Sequence, residues 1–327
     1  MESPNNMPVA GVDYPKTWGQ FLDWFHSEEA CRAYLEKLKW PNGFICSKCD
    51  ARNDARQSSR HRWICKKCSH QTTVTSMTLF DKTRTELRVW FSAVWYITNQ
   101  KSGVNALGLQ RVLGLGSYET AWTMLHRLSR AMARPGRELL KGDVEVDETY
   151  LALTDRKNPL SSKGRKSNTT KILVAIAVEI IQPKGFGRIR IRCIERGDGD
   201  SLIPFIQESI TPKANIHSDG SPAYNALRQK GYGHKRTVHH GSDIPAHESM
   251  PGVHRVAALL QRWVLGTHHG AIQPQQLDHY LDEFVFRFNR RTSKSRGLLF
   301  YRLLEQAVVT PPITYQDIVN KGGQNAK

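Results

Sequence analysis

Four cysteines in the first quarter of the chain constrain its fold more than any other feature of the sequence. They form two Cys-x2-Cys pairs, Cys46 with Cys49 and Cys65 with Cys68, separated by fifteen residues. Zn²⁺ prefers four tetrahedral thiolates, and a two-residue spacing lets one tight turn present both sulfurs to the same ion. Strand-like runs flank the second pair. We therefore predict a structural zinc ribbon, whose closed ligand set folds the module and leaves no position for chemistry.

The charge balance favours a polyanionic partner. The 327 residues include 47 Lys and Arg but 30 Asp and Glu, a formal net charge of +17. The basic residues are spread through every segment, which suits a surface along an extended polyanion, although a solvated basic surface is the alternative. The N-terminus lacks the features of a signal peptide, and the apolar run 172–178 is far shorter than the about 20 residues of a membrane span. We expect a cytoplasmic, DNA-binding protein with no membrane partner.

Helical periodicity dominates the front half of the chain. Apolar positions recur at helical spacing across 17–40, and Ser27 begins the second of two short helices as an N-cap. Residues 85–134 then show a helix, a short glycine-bearing turn and a helix that begins at Ser117, the order of a helix-turn-helix. Any two packed helices can share this pattern, so DNA recognition is one of two interpretations. The residues off the apolar side of the last helix are Tyr118, Thr120, His126, Arg127 and Arg130.

A change of pattern after Pro135-Gly136 marks a domain boundary. Three strand-like runs lie between 143 and 195, followed by a helix at 198–210, a strand at 215–218 and further helices, which is the order of an RNase H-like fold. The fold class is therefore multidomain α+β. The predicted domains are an N-terminal helical arm (1–40), a zinc ribbon (41–80), a helical, helix-turn-helix-like DNA-binding region (81–135) and an α/β RNase H-like domain (140–310).

Two aspartates end strand-like runs in the last of these domains. Asp147 lies near the end of its first strand and Asp219 follows its fourth, positions that an RNase H-like sheet brings together. Phosphodiester hydrolysis and strand transfer use two divalent ions about 3.5–4 Å apart, and hard Mg²⁺ needs carboxylates on rigid strands. Each aspartate alone could be a turn or cap residue. Together they predict a metal-dependent site that cleaves or joins nucleic acid.

Two basic segments are candidates for phosphate contact. The loop between the first two of these strands carries Lys163, Arg165 and Lys166 among glycine and serine, without apolar periodicity. A second cluster lies at a helix end near residue 290, where the density of positive charge exceeds what the helix dipole needs. This cluster consists of Arg287, Asn289, Arg290, Arg291, Lys294 and Arg296.

The order of these motifs resembles bacterial insertion-sequence transposases of the DDE class, in particular the zinc-ribbon family numbered fifteen ninety-five. The resemblance rests on Val-Glu-Val-Asp-Glu-Thr-Tyr at 144–150, His-Ser-Asp-Gly-Ser-Pro-Ala-Tyr at 217–224 and Gly-Thr-His-His-Gly at 266–270. It implies an integrase-like RNase H domain, dependence on Mg²⁺ or Mn²⁺, and recognition of terminal inverted repeats. We also expect contact with target DNA and a homo-oligomer in the active complex.

The resemblance implies that Asp147 and Asp219 are the first two catalytic metal ligands, but the third position departs from the family pattern. Relatives place Glu or Asn on the helix before Gly-Thr-His, with a Lys following, and here His254 and Gln261 occupy those positions. An imidazole can bind Mn²⁺ or Mg²⁺, less favourably than a carboxylate. We expect His254 as third ligand, with Glu248 or no third side chain as alternatives. The departure keeps open a non-catalytic zinc-ribbon and helix-turn-helix DNA-binding regulator with a decayed nuclease fold.

Four further polar residues near these motifs are assigned lesser roles. By strand alternation Glu145 shares a face with Asp147, whereas Glu148 points away. Glu145 is interpreted as a residue that supports the site or lies on the surface. His268 and His269 are interpreted as capping the helix that ends near them, with DNA contact as the alternative.

Overall fold

The computed structural model describes residues 7–134, 136–154, 169–183, 185–237 and 246–320. The described residues form two compact units, one within 1–132 and 293–318 and one within 133–292 and 319–327. Within the described ranges, no helix combines the length and apolar character that a bilayer crossing requires.

Groups of helices and strands follow one another in the order that the sequence patterns predict. In chain order the helices are α1 (Trp18–Trp24), α2 (Glu28–Lys39), α3 (Leu87–Asn99), α4 (Ala106–Leu113), α5 (Tyr118–Met132), α6 (Gly199–Ser209), α7 (Ala246–Ser249), α8 (Pro251–His268), α9 (Leu277–Asn289), α10 (Arg296–Val309) and α11 (Tyr315–Asn320). The strands are β1 (Ala55–Gln57), β2 (Trp63–Cys65), β3 (Gln71–Thr72), β4 (Asp143–Thr154), β5 (Thr169–Ile180), β6 (Phe186–Cys193), β7 (Asn215–Ser218) and β8 (Gly233–Arg236). Short 3-10 helices cover Pro222–Leu227 and Pro274–Gln276.

The first unit is built around an aromatic core. Ser27 begins α2 as predicted, because its hydroxyl accepts a hydrogen bond from the Ala30 N–H at 3.2 Å. Phe300 of α10 is fully buried among the rings of the N-terminal helices. Its centroid lies 5.6 Å from that of Phe21 and 5.8 Å from that of Phe91. The N-terminal helices therefore pack around a helix that follows them by about two hundred residues.

This return of the chain differs from the predicted boundary at 310. Residues 293–318 belong to the first unit, whereas the sequence pattern assigns everything from 140 to 310 to one domain. At Gly297 a Cβ atom would lie 1.9 Å from the Pro15 carbonyl oxygen, so the start of α10 depends on a glycine for its close approach. The apolar stripe of α10 predicts a buried face, but it does not identify the partner that covers that face.

Helices α4 and α5 form the predicted helix-turn-helix arrangement. Gly114 ends α4 with φ +62°, and the Ser117 hydroxyl accepts from the N–H groups of Glu119 and Thr120 at the start of α5. The expectation that His126 lies off the apolar side is wrong. His126 is 3% exposed, and its ring packs 4.0 Å from that of Trp122. The cause is that α5 packs against α4 on one side and α10 on another, so its buried arc is wider than one stripe.

The second unit contains a five-stranded sheet in the order β6-β5-β4-β7-β8. Strands β4, β5 and β6 form an antiparallel meander, and β7 and β8 continue the sheet parallel to β4. This topology confirms the predicted RNase H-like fold. The last strand, β8, lies at Gly233–Arg236, where the sequence patterns predict no strand.

Helices cover both faces of this sheet. Helices α8 and α9 pack on one face, where they meet Leu151 and Leu153 of β4. Helix α6 and the 3-10 helix Pro222–Leu227 pack on the other, against Val144 and Val146. Because side chains alternate along a strand, Glu145 and Asp147 belong to the α8 face and Glu148 to the α6 face.

Candidate metal centres

The four predicted zinc ligands come together in the first unit. Their sulfur atoms all lie within 4.8 Å of one another, with Cys46 and Cys68 at 3.6 Å and Cys49 and Cys65 at 3.7 Å. A zinc ion about 2.3 Å from four tetrahedral thiolates would separate the sulfurs by about 3.8 Å. The measured separations therefore fit one tetrahedral zinc ion, as the cysteine spacing predicts.

Local backbone geometry shapes both cysteine turns. Each turn ends in a left-handed residue directly after its second cysteine, Asp50 with φ 55° and Ser69 with φ 57°. Burial raises the pKa of Cys46, but the N–H groups of Lys48 and Cys49 point at its sulfur and bring that pKa down to about 7. Backbone dipoles thus favour the thiolate form of Cys46, the form that zinc requires.

The two aspartates belong to neighbouring parallel strands of the second unit, Asp147 within β4 and Asp219 directly after β7. Strand β4 pairs with β7 so that Asp143 lies opposite Asn215 and Glu145 opposite His217. Asp147 follows Glu145 by two residues, Asp219 directly follows the last residue of β7, and the negative charge of Asp219 acts on the Asp147 carboxyl group. The sheet therefore brings together the pair that the sequence predicts.

Several carboxylates crowd this edge of the sheet. Burial raises the pKa of Asp147 to about 7, and the negative charges of Glu148, Asp219 and Glu145 add to that rise. Burial and the Asp219 charge also raise the pKa of Glu148. Closely spaced, partly buried carboxylates repel one another, and a divalent cation would relieve that repulsion. Their donor chemistry suits Mg²⁺ or Mn²⁺.

The third ligand stays a prediction. His254 lies half-buried in the first turns of α8, and Gln261 is exposed two turns later. Among the residues that the structure describes, the cysteine set is the only group of three or more ligand atoms all within 4.8 Å of one another. His254 lies on a helix that packs on β4. Its ring nitrogens do not form a comparably compact set of ligand atoms with the carboxylates of Asp147 and Asp219. Glu248, the alternative, is exposed in the short helix α7.

Two glutamates that sequence reasoning left in minor roles have defined partners here. Glu145 is 4% exposed, so it is not a surface residue, and its carboxylate accepts a hydrogen bond from the Val253 N–H at 2.9 Å. Glu148 accepts a hydrogen bond from the Tyr224 hydroxyl at 2.7 Å. The signal in the sequence was the presence of charged side chains inside an otherwise apolar strand.

Comparison with known proteins identifies the family. Residues 139–289 match the model of the ISXO2-like transposase domain, and residues 26–71 match that of the transposase zinc-ribbon domain. Together the two matches cover more than half of the chain. The chain belongs to the ISXO2-like insertion-sequence transposases with a zinc ribbon.

One curated relative spans most of this family member. It is an uncharacterized protein in transposable element ISH50 of Halobacterium salinarum, 25% identical over 276 residues, which are 80% of this chain and 91% of that protein. Solved structures show a weaker likeness. The Mos1 strand transfer complex has a TM-score of 0.25 at 12% identity, covering 72% of this chain and 79% of that chain. A pre-cleavage Mos1 transpososome has a TM-score of 0.21 at 11% identity, covering 72% and 80%.

The basic cluster near residue 290 has mostly structural partners in this transposase. Arg287 pairs with Glu283 at 2.7 Å, and both side chains are largely buried. Arg291 donates to the Gly187 carbonyl at 3.1 Å, and the Asn289 amide bonds both the N–H and the carbonyl of Ile189 on edge strand β6. Strand β6 needs partners for its outer backbone groups, and these side chains supply them. Their predicted contact with DNA stays a prediction.

The other predicted DNA contacts have varied settings. Burial lowers the pKa of Arg127, which is about half-buried near Asp81. Arg130 is partly exposed and Arg290 stacks 4.1 Å over the Phe286 ring. The basic loop that carries Lys163, Arg165 and Lys166 lies outside the described residues.

Of the histidine pair at the end of α8, His269 caps the helix as interpreted, whereas His268 is its buried last residue. His269 is the C-cap of α8 with φ 53°, and its N–H donates to the Leu265 carbonyl. His268 packs edge-on between Trp263 and Tyr280, with ring centroids 4.7 Å away on each side. Burial lowers the pKa of His268 to about 4, so this side chain is neutral at physiological pH.

The raised pKa of Asp147 makes a prediction about stability. Because the folded-state pKa is about 7 and the ordinary value is about 3.9, the folded protein loses stability as pH rises between these values. Asp147→Asn removes the ionisable group. Without added Mg²⁺ or chelator, we expect the melting temperature of the variant to exceed that of the wild type by at least about 2 °C at pH 8 and by about a third of that difference at pH 5. The matched control is Asp143→Asn, an exposed aspartate of the same strand, and an equal effect there would contradict the prediction.

Proposed function

We propose that the chain is an active DNA transposase, which binds the terminal inverted repeats of its element and carries out metal-dependent cleavage and transfer of DNA strands. The observation that supports the proposal is the group of carboxylates at the ends of the paired strands β4 and β7, where the negative charge of Asp219 adds to the raised pKa of Asp147. Membership of the transposase family and the net charge of +17 support it.

The chemistry divides between the metal ions and the side chains of the chain. When bound, two divalent cations would activate the attacking oxygen and stabilise the leaving oxygen. Asp147 and Asp219 would hold them from rigid strands, and His254 would complete the set from α8. Asp147 must lose its proton to bind a cation, and its raised pKa means that binding releases a proton near neutral pH.

The direct test is a strand-cleavage and strand-transfer assay on oligonucleotides that carry the ends of the element. Cleavage at the 3′ ends and joining to a second duplex should require Mg²⁺ or Mn²⁺. The ends themselves are found as inverted repeats flanking the gene, with a short duplication of the target outside them.

The residues at the third ligand position favour a second candidate function. His254 and Gln261 stand where relatives carry an acid or amide and a lysine, so a non-catalytic DNA-binding regulator is the alternative. In the same assay such a protein would bind the ends and leave them uncut with either metal.

The His254 assignment makes a prediction about metal preference. His254→Ala should reduce cleavage more with Mg²⁺ than with Mn²⁺, because Mg²⁺ demands near-ideal octahedral geometry and so tolerates the loss of one ligand less well. His254→Glu should raise Mg²⁺-dependent cleavage, since it restores a carboxylate. Initial cleavage rates with each ion measure both effects. Glu248→Ala is the control, and if it abolishes cleavage while His254→Ala does not, Glu248 is the third ligand.

A further inference from the structure

The carboxylate of Glu145 lies at the start of the helix that carries His254. Glu145 and Val253 are separated by 108 positions, yet the Val253 N–H donates to Glu145 Oε2 at 2.9 Å. The first N–H groups of a helix have no partner within the helix, and a carboxylate there also opposes the helix dipole. In the described part of the chain, the residue that precedes α8, Met250, supplies no side-chain cap. Glu145 therefore serves as the cap of α8 from another element.

A glycine makes this close approach possible. A Cβ atom on Gly252 would lie 2.8 Å from Glu145 Oε2, which is closer than side-chain atoms pack. Gly252 is buried in the first turn of α8. Glu145 and Gly252 thus form one contact, in which the small residue lets the carboxylate reach the helix end.

Glu148 makes the corresponding contact on the opposite face of the strand. Its Oε2 accepts from the hydroxyl of Tyr224, which is fully buried. Tyr224 lies in the 3-10 helix Pro222–Leu227, which begins three residues after Asp219. Asp219 is joined to that helix start because its Oδ1 accepts from the Ser221 N–H at 2.9 Å.

We propose that Glu145 and Glu148 are positioning residues that hold the other two ligand-bearing segments against Asp147. Glu145 fixes the first turn of α8 and with it His254, and Glu148 fixes the segment of Asp219 through Tyr224. The three acids at 145–148 then differ in role: Asp147 binds metal, whereas Glu145 and Glu148 bind groups of the protein. The positioning role rests on the proposed metal site.

Hydrogen exchange of the metal-free, DNA-free protein tests the two contacts separately. Glu145→Ala should speed exchange of the amides at 252–255 by at least about fivefold, the loss expected for a helix cap, and leave 221–227 unchanged. Glu148→Ala and Tyr224→Phe should speed exchange of the amides at 221–227 and leave 252–255 unchanged. Glu145→Gln retains an acceptor oxygen, so its exchange rate at 252–255 should lie between those of the wild type and Glu145→Ala. If the Glu145→Ala protein does not fold, Glu145→Gln takes its place in the comparison.

A matched control is available on the neighbouring strand. Glu179 is a buried acid of β5 whose partners are Arg188, at 2.8 Å, and the Lys141 N–H, so it takes part in neither contact. Glu179→Ala should change exchange in neither segment. If Glu145→Ala accelerates both segments equally, or neither, the assignment of separate contacts is overturned.

The affinity of the zinc-loaded protein for Mn²⁺, measured by electron paramagnetic resonance, tests the positioning role without any cleavage. Glu145→Ala and Glu148→Ala should weaken Mn²⁺ binding at least about tenfold, whereas Glu179→Ala should not. Unchanged Mn²⁺ affinity in both glutamate variants would overturn the positioning role. If Mn²⁺ binding responds as expected but the wild type cuts no DNA, the proposed strand transfer fails and the positioning role stands.

Discussion

Replacing Asp147 or Asp219 with asparagine is expected to reduce metal-dependent strand cleavage by about 10³-fold or more. The carboxamide keeps the shape of the side chain but loses the charge that holds a hard cation. A metal ion at a phosphoryl oxygen contributes several kcal/mol to transition-state stabilisation, and each 1.36 kcal/mol is a factor of ten in rate. Affinity for the DNA ends should change by less than about threefold, because phosphate contacts supply most of it. Single-turnover cleavage and a binding titration at one salt concentration measure the two quantities.

The control for this pair is Asp143→Asn, the same change four residues earlier in β4, where the side chain is exposed and accepts from the Asn215 amide at 3.0 Å. It should leave cleavage near the wild-type rate. If Asp147→Asn and Asp219→Asn both cleave normally, the proposed activity is wrong. If the wild type binds the ends tightly and cleaves none of them, the regulator becomes the better assignment.

Loss of zinc is expected to unfold the ribbon while the five-stranded sheet of the second unit stays folded. Structural zinc in small modules contributes about 10–16 kcal/mol of apparent binding free energy, which is folding free energy there. Cys65 is fully buried beside Cys46, and Cys65→Ala should therefore lower zinc content from about one ion per chain to nearly none. It should also make residues 44–72 sensitive to proteolysis. Metal analysis and limited proteolysis of the purified protein provide the measurements.

Another buried cysteine supplies the control for the zinc prediction. Cys31 lies in α2, outside the ligand set. Burial raises its pKa to about 12, so this thiol stays neutral. Cys31→Ala should retain zinc and ribbon protection. A protein that is free of zinc yet resists proteolysis at 44–72, or that contains a disulfide among the four cysteines, would contradict the assignment.

Much of the fold follows from patterns that are local in the chain. Ser27 caps α2 as expected, because a cap bonds to an N–H only three residues away. Strands β4 to β7 also follow, because apolar residues alternate with polar ones or run continuously along them. Asp147 and Asp219 could be paired in advance because strand order in a known fold class determines which strand ends are neighbours.

The rest depended on contacts between distant segments. His126 is buried because α5 packs against both α4 and α10. Helix α10 in turn belongs to the first unit although it follows the second unit in the sequence. Arg291 donates to the carbonyl of Gly187, more than a hundred positions away, whereas its basic character alone pointed to DNA. Charge density along the chain does not show whether a guanidinium faces solvent or a backbone carbonyl.

The sequence by itself determined the chemistry that is available: four thiolates at zinc spacing, acids in apolar strands, and capped amphipathic helices. These depend on residue type and on distances of a few residues, which bond geometry translates directly into structure. Only the tertiary structure decided what Glu145 does. Its carboxylate caps a helix that begins more than a hundred residues later, and such a partner is selected by packing of the whole unit, which local spacing does not encode.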